Sequence, residues 1–295
     1  MTKKIVIRLQ GGLGNQMFQY AFAYNLSLIL SSTLYIDTHL FYKRNNFKKF
    51  TKRNLELNIF NINYDFFIKY LPFHIHFDYY LYKFITFLKI KIYSYKILNE
   101  IDIINTTFSK YQNIYLIGYF QDYKYFTNHK IVQNIFNTFL FHEPLSDINK
   151  LILNKINSTQ SVSIHVRRSD YLDKKNITVH GTCSLDYYKM SVSYFLENFK
   201  NVTFFIFSDD FNWVKVNLTK ILPHFEIIDN NFGNNSYIDL YLMSKCKHNI
   251  IANSTFSWWG GWLNSNINKT VISPKLWFVN EKNINPIIPT NWIKL

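Results

Sequence analysis

Cysteine, proline and glycine are scarce in this chain: 2, 6 and 8 copies among 295 residues. With only Cys183 and Cys246 present, a disulfide scaffold is excluded. Neither sits in a Cys-x-x-Cys pair, which argues against structural zinc, and both read as reduced thiols of a cytosolic protein. Long uncharged apolar runs are missing too. The nearest approach, residues 66–98, is interrupted by Lys69, Asp78, Lys83, Lys89, Lys91 and Lys96. No span of about 18 apolar residues remains to form a membrane helix. The apolar run behind the basic start Met1-Thr2-Lys3-Lys4 ends at Arg8 and Gln10, too soon for a signal-peptide core. The expected location is therefore cytoplasmic, with room for peripheral contact at an anionic membrane face. Acidic residues are also in deficit, 19 against 33 Lys and Arg, for a net charge of +14. Of these, 18 basic and 9 acidic residues lie in the first 150, so the excess leans N-terminal. Such a surface suggests anionic partners; codon usage in an AT-rich genome is the competing source of the charge.

What is present excludes global disorder, since 48% of the residues are hydrophobic. The length suggests two domains, and Glu143-Pro144 with Ser146-Asp147 marks a boundary, giving 1–145 and 146–295. Residues 3–9 read as a buried strand, 17–30 as a largely apolar helix and Thr33–Asp37 as a second strand. Residues 40–135 show no clean period; they read as mostly helical, with a strand at Asn113–Ile117. Beyond the boundary, strands at 161–166, 202–207, Phe225–Ile228, 249–252 and Val271–Ser273 alternate with helices. Those helices are expected at 185–199 behind Ser184, from Ser236 to about 245, and from about Thr255. Alternation of this kind predicts an α/β fold with parallel sheets. There is no internal repeat.

Four segments carry chemistry. Gly11-Gly12-Leu13-Gly14 holds three of the eight glycines between the first strand and helix. Glycine lets a ligand approach the main chain, and the helix N-terminus beyond offers N–H groups to a phosphate. Asn15 and Gln16 add amide donors. The alternative is a tight strand-to-helix turn. Second, His165-Val166-Arg167-Arg168-Ser169-Asp170-Tyr171 ends a strand. Alternation puts His165 and Arg167 on one face and Arg168 on the other, and a guanidinium fork suits phosphate oxygens. An ordinary salt-bridged Arg pair competes with that reading. Third, Asp209-Asp210 follows Phe207-Ser208 at another strand end, either to meet a ligand or to cap a helix. Fourth, Asn253-Ser254-Thr255-Phe256-Ser257-Trp258-Trp259 gathers hydroxyls at a helix N-terminus, although its tryptophans read mainly as core. One helix earlier, Asp239 is a lone acid among Tyr237, Ile238, Leu240 and Tyr241, and needs a partner. Guanine, with two donors on one edge, would be one.

Together these segments resemble the α1,2-fucosyltransferases of glycosyltransferase family 11. The matches begin with Ile7-Arg8-Leu9-Gln10 leading into the glycine loop and Asn15-Gln16-Met17-Phe18-Gln19-Tyr20-Ala21. They run in family order from residue 5 to about 275, and residues 40–135 match poorly. The resemblance implies a GT-B-like fold of two Rossmann-like domains with a cleft between them. It implies GDP-β-L-fucose as donor, a galactose-terminated glycan as acceptor, and inverting transfer to the 2-hydroxyl without a metal. No cofactor is expected, and no Asp-x-Asp tripeptide of the metal-dependent type occurs. It places the donor in the C-terminal half and acceptor choice in the N-terminal half. Arg167 would hold the β-phosphate and His165 the nucleotide, with Gly12, Gly14 and Asn15 closing on the diphosphate. Asp239 resembles the guanine-binding acid of related fucosyltransferases, and Ser254, Thr255 and Ser257 would meet phosphate. Arg168, Asp209, Gln16 and Asn253 complete the expected donor set.

Charge growing on the leaving β-phosphate calls for fixed positive groups, which Arg167 supplies. A base for the acceptor hydroxyl would come from Asp170 or His180, unless Asp170 only orients an arginine. Two rivals remain: a fucosyltransferase of another linkage, such as protein O-fucosylation, and a basic nucleic-acid-binding protein. The second would need a basic cluster with exposed aromatics, for which Lys43, Arg44, Lys48, Lys49, Lys52 and Arg53 are the best stretch. That stretch reads instead as a loop facing acceptor or membrane, and no nucleic-acid partner is expected.

Overall fold

In the computed structural model, the short β-branched runs of the sequence become the centres of two parallel sheets. The structure describes residues 3–42, 53–60, 62, 67–68, 95–104, 106–141, 144–174, 176–281 and 285–295. The chain divides into two units, Met1–Leu140 and Phe141–Leu295.

In the first unit, β1 (Lys4–Arg8) carries Ile5, Val6 and Ile7, all buried. A strand buried on both faces is what a central position in a parallel sheet requires. It pairs with β2 (Thr33–Asp37) on one side and β5 (Asn113–Ile117) on the other. With β3 (Phe67–Ile68) and β4 (Lys96–Asn99) the sheet order is β3-β2-β1-β5-β4, all parallel. The helix Leu13–Ile29 is buried on nearly every side, with Met17, Phe18, Ala21 and Ala23 closed to solvent. Phe22 stacks on Phe120 with ring centroids 4.4 Å apart. The expected strand at Asn113–Ile117 is present, and the segment read as mostly helical also holds β3 and β4. Most of 40–95, including Lys43, Arg44, Lys48, Lys49 and Lys52 of the basic stretch, lies outside the described residues.

The second unit has six parallel strands: β6 (Gln160–Val166), β7 (Val202–Ser208), β8 (Phe225–Ile228), β9 (His248–Ile250), β10 (Val271–Ser273) and β11 (Ile293–Lys294). Their order is β11-β10-β9-β6-β7-β8. Val162, Ile164 and Val166 of β6 meet Val192 and Phe195 of the helix Leu185–Asn198 in the core. Ser184 caps that helix by accepting from the Tyr187 N–H at 3.1 Å. A further helix, Asp147–Ser158, starts behind the Ser146 cap. Ser236 precedes the helix Tyr237–Lys245 but makes no side-chain cap, because its backbone is already helical. Among the described residues, no helix is long and apolar enough to cross a membrane.

Candidate active site

Strand order locates the site in the second unit. From β6 the chain steps outward through β7 and β8, then returns to lay β9 on the opposite side of β6. Such a reversal leaves a crevice at the carboxyl ends of the two strands that part, the usual ligand position in open α/β sheets. At those ends stand Arg167 and Arg168 after β6, Asp209 and Asp210 after β7, and 253–255 after β9.

Arg167 sits between two carboxylates. One terminal nitrogen lies 2.8 Å from Asp170 Oδ1 and the other 3.1 Å from Asp209 Oδ2. Its guanidinium lies 5.6 Å from the Tyr171 ring centre. Burial works against the charge, but Asp209, Asp170 and Tyr171 outweigh it and hold the guanidinium above its ordinary pKa. Asp209 is anchored in turn, accepting from the Arg168 backbone N–H at 2.8 Å. The carboxylate that caps the next short helix is Asp210, which accepts from the Trp213 N–H at 3.0 Å. Arg168 points the other way, as alternation requires. It rests 4.6 Å from the Trp213 ring centre and reaches Asp210 and Thr182 at 3.3 and 3.4 Å. Arg168 is thus engaged on the Asp210 and Trp213 side of the strand end.

His165, on the Arg167 face, is 6% exposed. Burial, then the nearby Arg167 charge, pushes its pKa down to about 3, so the ring is neutral at physiological pH. Its Nδ1 is buried with no hydrogen-bond partner among the described residues, and its ring lies 5.8 Å from that of Phe256. A buried nitrogen without a protein partner costs free energy that a bound ligand would recover. Tyr171 links the pieces: under Arg167, it donates through its hydroxyl to the Asn253 carbonyl at 3.2 Å and stacks on His180 at 4.8 Å. Burial lowers the His180 pKa, while Asp170 acts the other way. Asp170, a candidate base, is engaged as the orienting partner of Arg167.

At the third strand end, Asn253 and Ser257 make hydrogen bonds within the protein. Asn253 donates through its amide to the His180 and Trp277 carbonyls at 2.7 and 3.2 Å, which ties loops rather than offering a donor. Ser257 is fully buried and donates to the Ser254 carbonyl at 3.3 Å. Ser254 stands at the N-cap of the helix Thr255–Trp262 without capping it through its side chain, and Thr255 opens the first turn. Trp258 and Trp259 are core. Asp239 accepts from Asn231 Nδ2 at 2.8 Å, and burial raises its pKa to about 7 against that hydrogen bond. Asn231 exchanges amide hydrogen bonds with Asn149 at 2.8 and 3.2 Å.

The glycine loop belongs to the first unit, at its own reversal between β1 and β5. The glycine with positive φ is Gly11, at +81°, where a Cβ would come within 2.5 Å of the Asn15 amide. Gly12 is extended and serves as N-cap, and Gly14 lies inside the helix. Asn15 accepts from Gln121 Nε2 at 2.8 Å. Gln16 is fully buried and structural: it donates to the Gly11 and Asn54 carbonyls at 2.9 Å each and accepts from the Glu56 N–H at 3.0 Å. Gln19, equally buried, accepts from the Gln10 N–H and donates to the Gly118 carbonyl, both at 3.0 Å. In the sequence Gln19 is one of four amide side chains on this helix, with Asn15, Gln16 and Asn25.

The sequence model of glycosyl transferase family 11 matches residues 3–295. An alpha-1,2-colitosyltransferase of Escherichia coli is 34% identical over 99% of this chain and 98% of its own length. The O-antigen biosynthesis glycosyltransferase WbnK of Escherichia coli is 36% identical over 97% and 99%. Among solved structures, the fucosyltransferase NodZ from Bradyrhizobium matches with a TM-score of 0.56 and 14% identity, covering 88% of this chain and 92% of that one. NodZ has also been solved after soaking with GDP-fucose, with a TM-score of 0.54 to this chain. The likeness extends the α/β reading to the GT-B class, with two Rossmann-like domains.

Proposed function

The chain belongs to glycosyl transferase family 11, and from that premise we propose that it transfers L-fucose from GDP-β-L-fucose to the 2-hydroxyl of a terminal galactose. Transfer inverts the sugar, forms an α1,2 link in a surface polysaccharide or other glycan, and needs no metal. The observation that carries this reading is Arg167, a permanently charged fork held by Asp170 and Asp209 at the β6–β9 reversal. As the sugar C1 parts from GDP, negative charge grows on the β-phosphate. A fixed cation in a partly buried site stabilises that charge without having to reorganise. His165 supports the nucleotide side as a neutral ring whose buried nitrogen is left for a ligand. Asp239, still negative in part near neutral pH, fits the two-donor edge of guanine.

The colitosyltransferase relative favours a second donor. Colitose is L-fucose without its 3-hydroxyl, so GDP-colitose would present the same diphosphate and nucleoside. The test offers GDP-fucose and GDP-colitose in parallel to a panel of galactosides, with EDTA present, and reads the new linkage by NMR. An α1,2-fucosyl galactoside is expected. Exclusive use of GDP-colitose would overturn the donor assignment, and a product linked elsewhere would overturn the acceptor assignment.

A further inference from the structure

The sheet of the second unit has an amino edge as well, at the opposite ends of the strands whose carboxyl ends carry Arg167 and Asp209. A cavity of about 500 Å³ opens there, lined by Gln160, Lys200, Thr203, His224 and Lys247 among others, and by no Asp or Glu. Among the described residues, the Lys200 ammonium has no acceptor. Behind Gln160 lies His248, 2% exposed. Its Nδ1 accepts from the Thr270 N–H at 3.0 Å. Burial, then the Lys247 charge, lowers its pKa to about 4, so the ring is neutral. A neutral imidazole carries one proton, which must then be on Nε2. Gln160 Nε2 stands 2.8 Å from that Nε2, donor against donor. The conflict ends when the amide turns over and gives its oxygen to the ring N–H. Its NH2 then faces Lys247 Nζ, which meets the outer end of the amide at 3.3 Å. Lys247 thereby loses its side-chain acceptor, and the cavity wall holds donors only at Gln160, Lys247 and Lys200.

We propose that this cavity is an anion site for a phosphate group, held by Lys247, Lys200 and the Gln160 amide. Water can meet these donors one at a time, but only an anion also offsets two ammonium groups that share a cavity without a carboxylate. A phosphate presents several oxygens to several separate donors, each bond strengthened by charge. The cavity exceeds the size of one phosphate, so an ester fits as well as the free ion. The site is separate from the crevice at Arg167. β6 runs seven residues from Gln160 to Val166, which puts the two ends about 20 Å apart. The proposal therefore stands whether or not the donor assignment does. The same donors would read free phosphate or the phosphodiester of an anionic lipid headgroup, and the net charge of +14 favours either.

The test has three readouts. Nitrogen-15 NMR of the His248 ring gives its tautomer; a proton on Nε2 is expected, and a proton on Nδ1 overturns the proposal. Inorganic phosphate is then titrated against chloride at equal ionic strength, following the Gln160 side-chain amide. Vesicles of phosphatidylglycerol are compared with vesicles of phosphatidylcholine by co-sedimentation. Lys200→Ala and Lys247→Ala accompany wild type in both arms, with melting temperatures to show that they fold. Binding that saturates in wild type, is not reproduced by chloride or phosphatidylcholine, and weakens about 10- to 100-fold in each variant is expected, the usual worth of a hydrogen bond to a charged group. If the loss appears with inorganic phosphate, the source is the free ion; if only with phosphatidylglycerol, it is a lipid headgroup. Variants that match wild type in both arms overturn the proposal, as phosphate held at the Arg167 crevice would produce. So does a wild type that binds neither probe.

Discussion

Replacing Arg167 by alanine tests the site most directly. The side chain is 25% exposed, so solvent only partly screens its charge, and it faces Asp170 and Asp209 at 2.8 and 3.1 Å. Alanine removes the cation that would meet the leaving phosphate and leaves two carboxylates facing each other. The remaining negative charge then repels a diphosphate. Truncating one partner of a desolvated, charge-assisted pair costs about 2–4 kcal/mol in binding. At 1.4 kcal/mol per decade, that is about 30- to 1,000-fold weaker GDP binding. Transfer should fall further, because charge on the β-phosphate is greatest in the transition state. Arg167→Lys should recover little: one ammonium cannot meet Asp170 and Asp209 through separate nitrogens as the fork does. Calorimetric titration with GDP, beside melting temperatures, separates lost binding from lost folding. An alanine variant that folds and binds GDP within threefold of wild type would refute the assignment.

Asp239→Asn should weaken GDP binding and lower its preference over ADP and UDP, because an amide opposes one of guanine's two donors with its own. In the wild type the raised pKa of about 7, due to burial, means the native state holds a proton that the unfolded chain has released above about pH 4. Stability from this group is therefore full at low pH and declines as pH rises through about 7, while GDP should bind better at pH 8 than at pH 6 with a proton released. Unchanged nucleotide preference and a flat pH dependence would show Asp239 to be a brace for Asn231. Gln19→Leu should lower stability by roughly 1–3 kcal/mol, since it removes the side-chain partner of a part-buried N–H at Gln10 and a part-buried carbonyl at Gly118; denaturant melts check this, and an unchanged midpoint contradicts it. Transfer should survive EDTA, and a complete loss restored by added metal would contradict the leaving-group role given to Arg167.

The strands and helices around the site were legible because they rest on local signals. Ile5-Val6-Ile7, Val162 to Val166 and the Phe-rich run before Ser208 are short buried strands, each followed by a break and a helix. The facing of Arg167 and Arg168 follows from alternation along one strand. Less was legible between residues 40 and 135, where aromatic and Lys-rich sequence carries no period; β4 there is four residues long and takes its place by pairing with β5.

What the sequence by itself determined is the order of elements, the parallel α/β class and the strand ends at which chemistry collects, since these depend on period and on neighbours a few residues away. Only the tertiary structure decided which polar side chains remain for a ligand. Gln16, Asn253 and Ser257 look like ligand groups in the sequence, yet each is engaged inside the protein. Gln16 meets Asn54, 38 residues away, and Asn253 meets His180, 73 away. Asp37 and His39 look like an ordinary strand end until Tyr115, 78 residues on, closes over the carboxylate. The physical reason is one of satisfaction: a buried amide or carboxylate must find partners, and those partners are brought within reach by the sheet order, which no local spacing records.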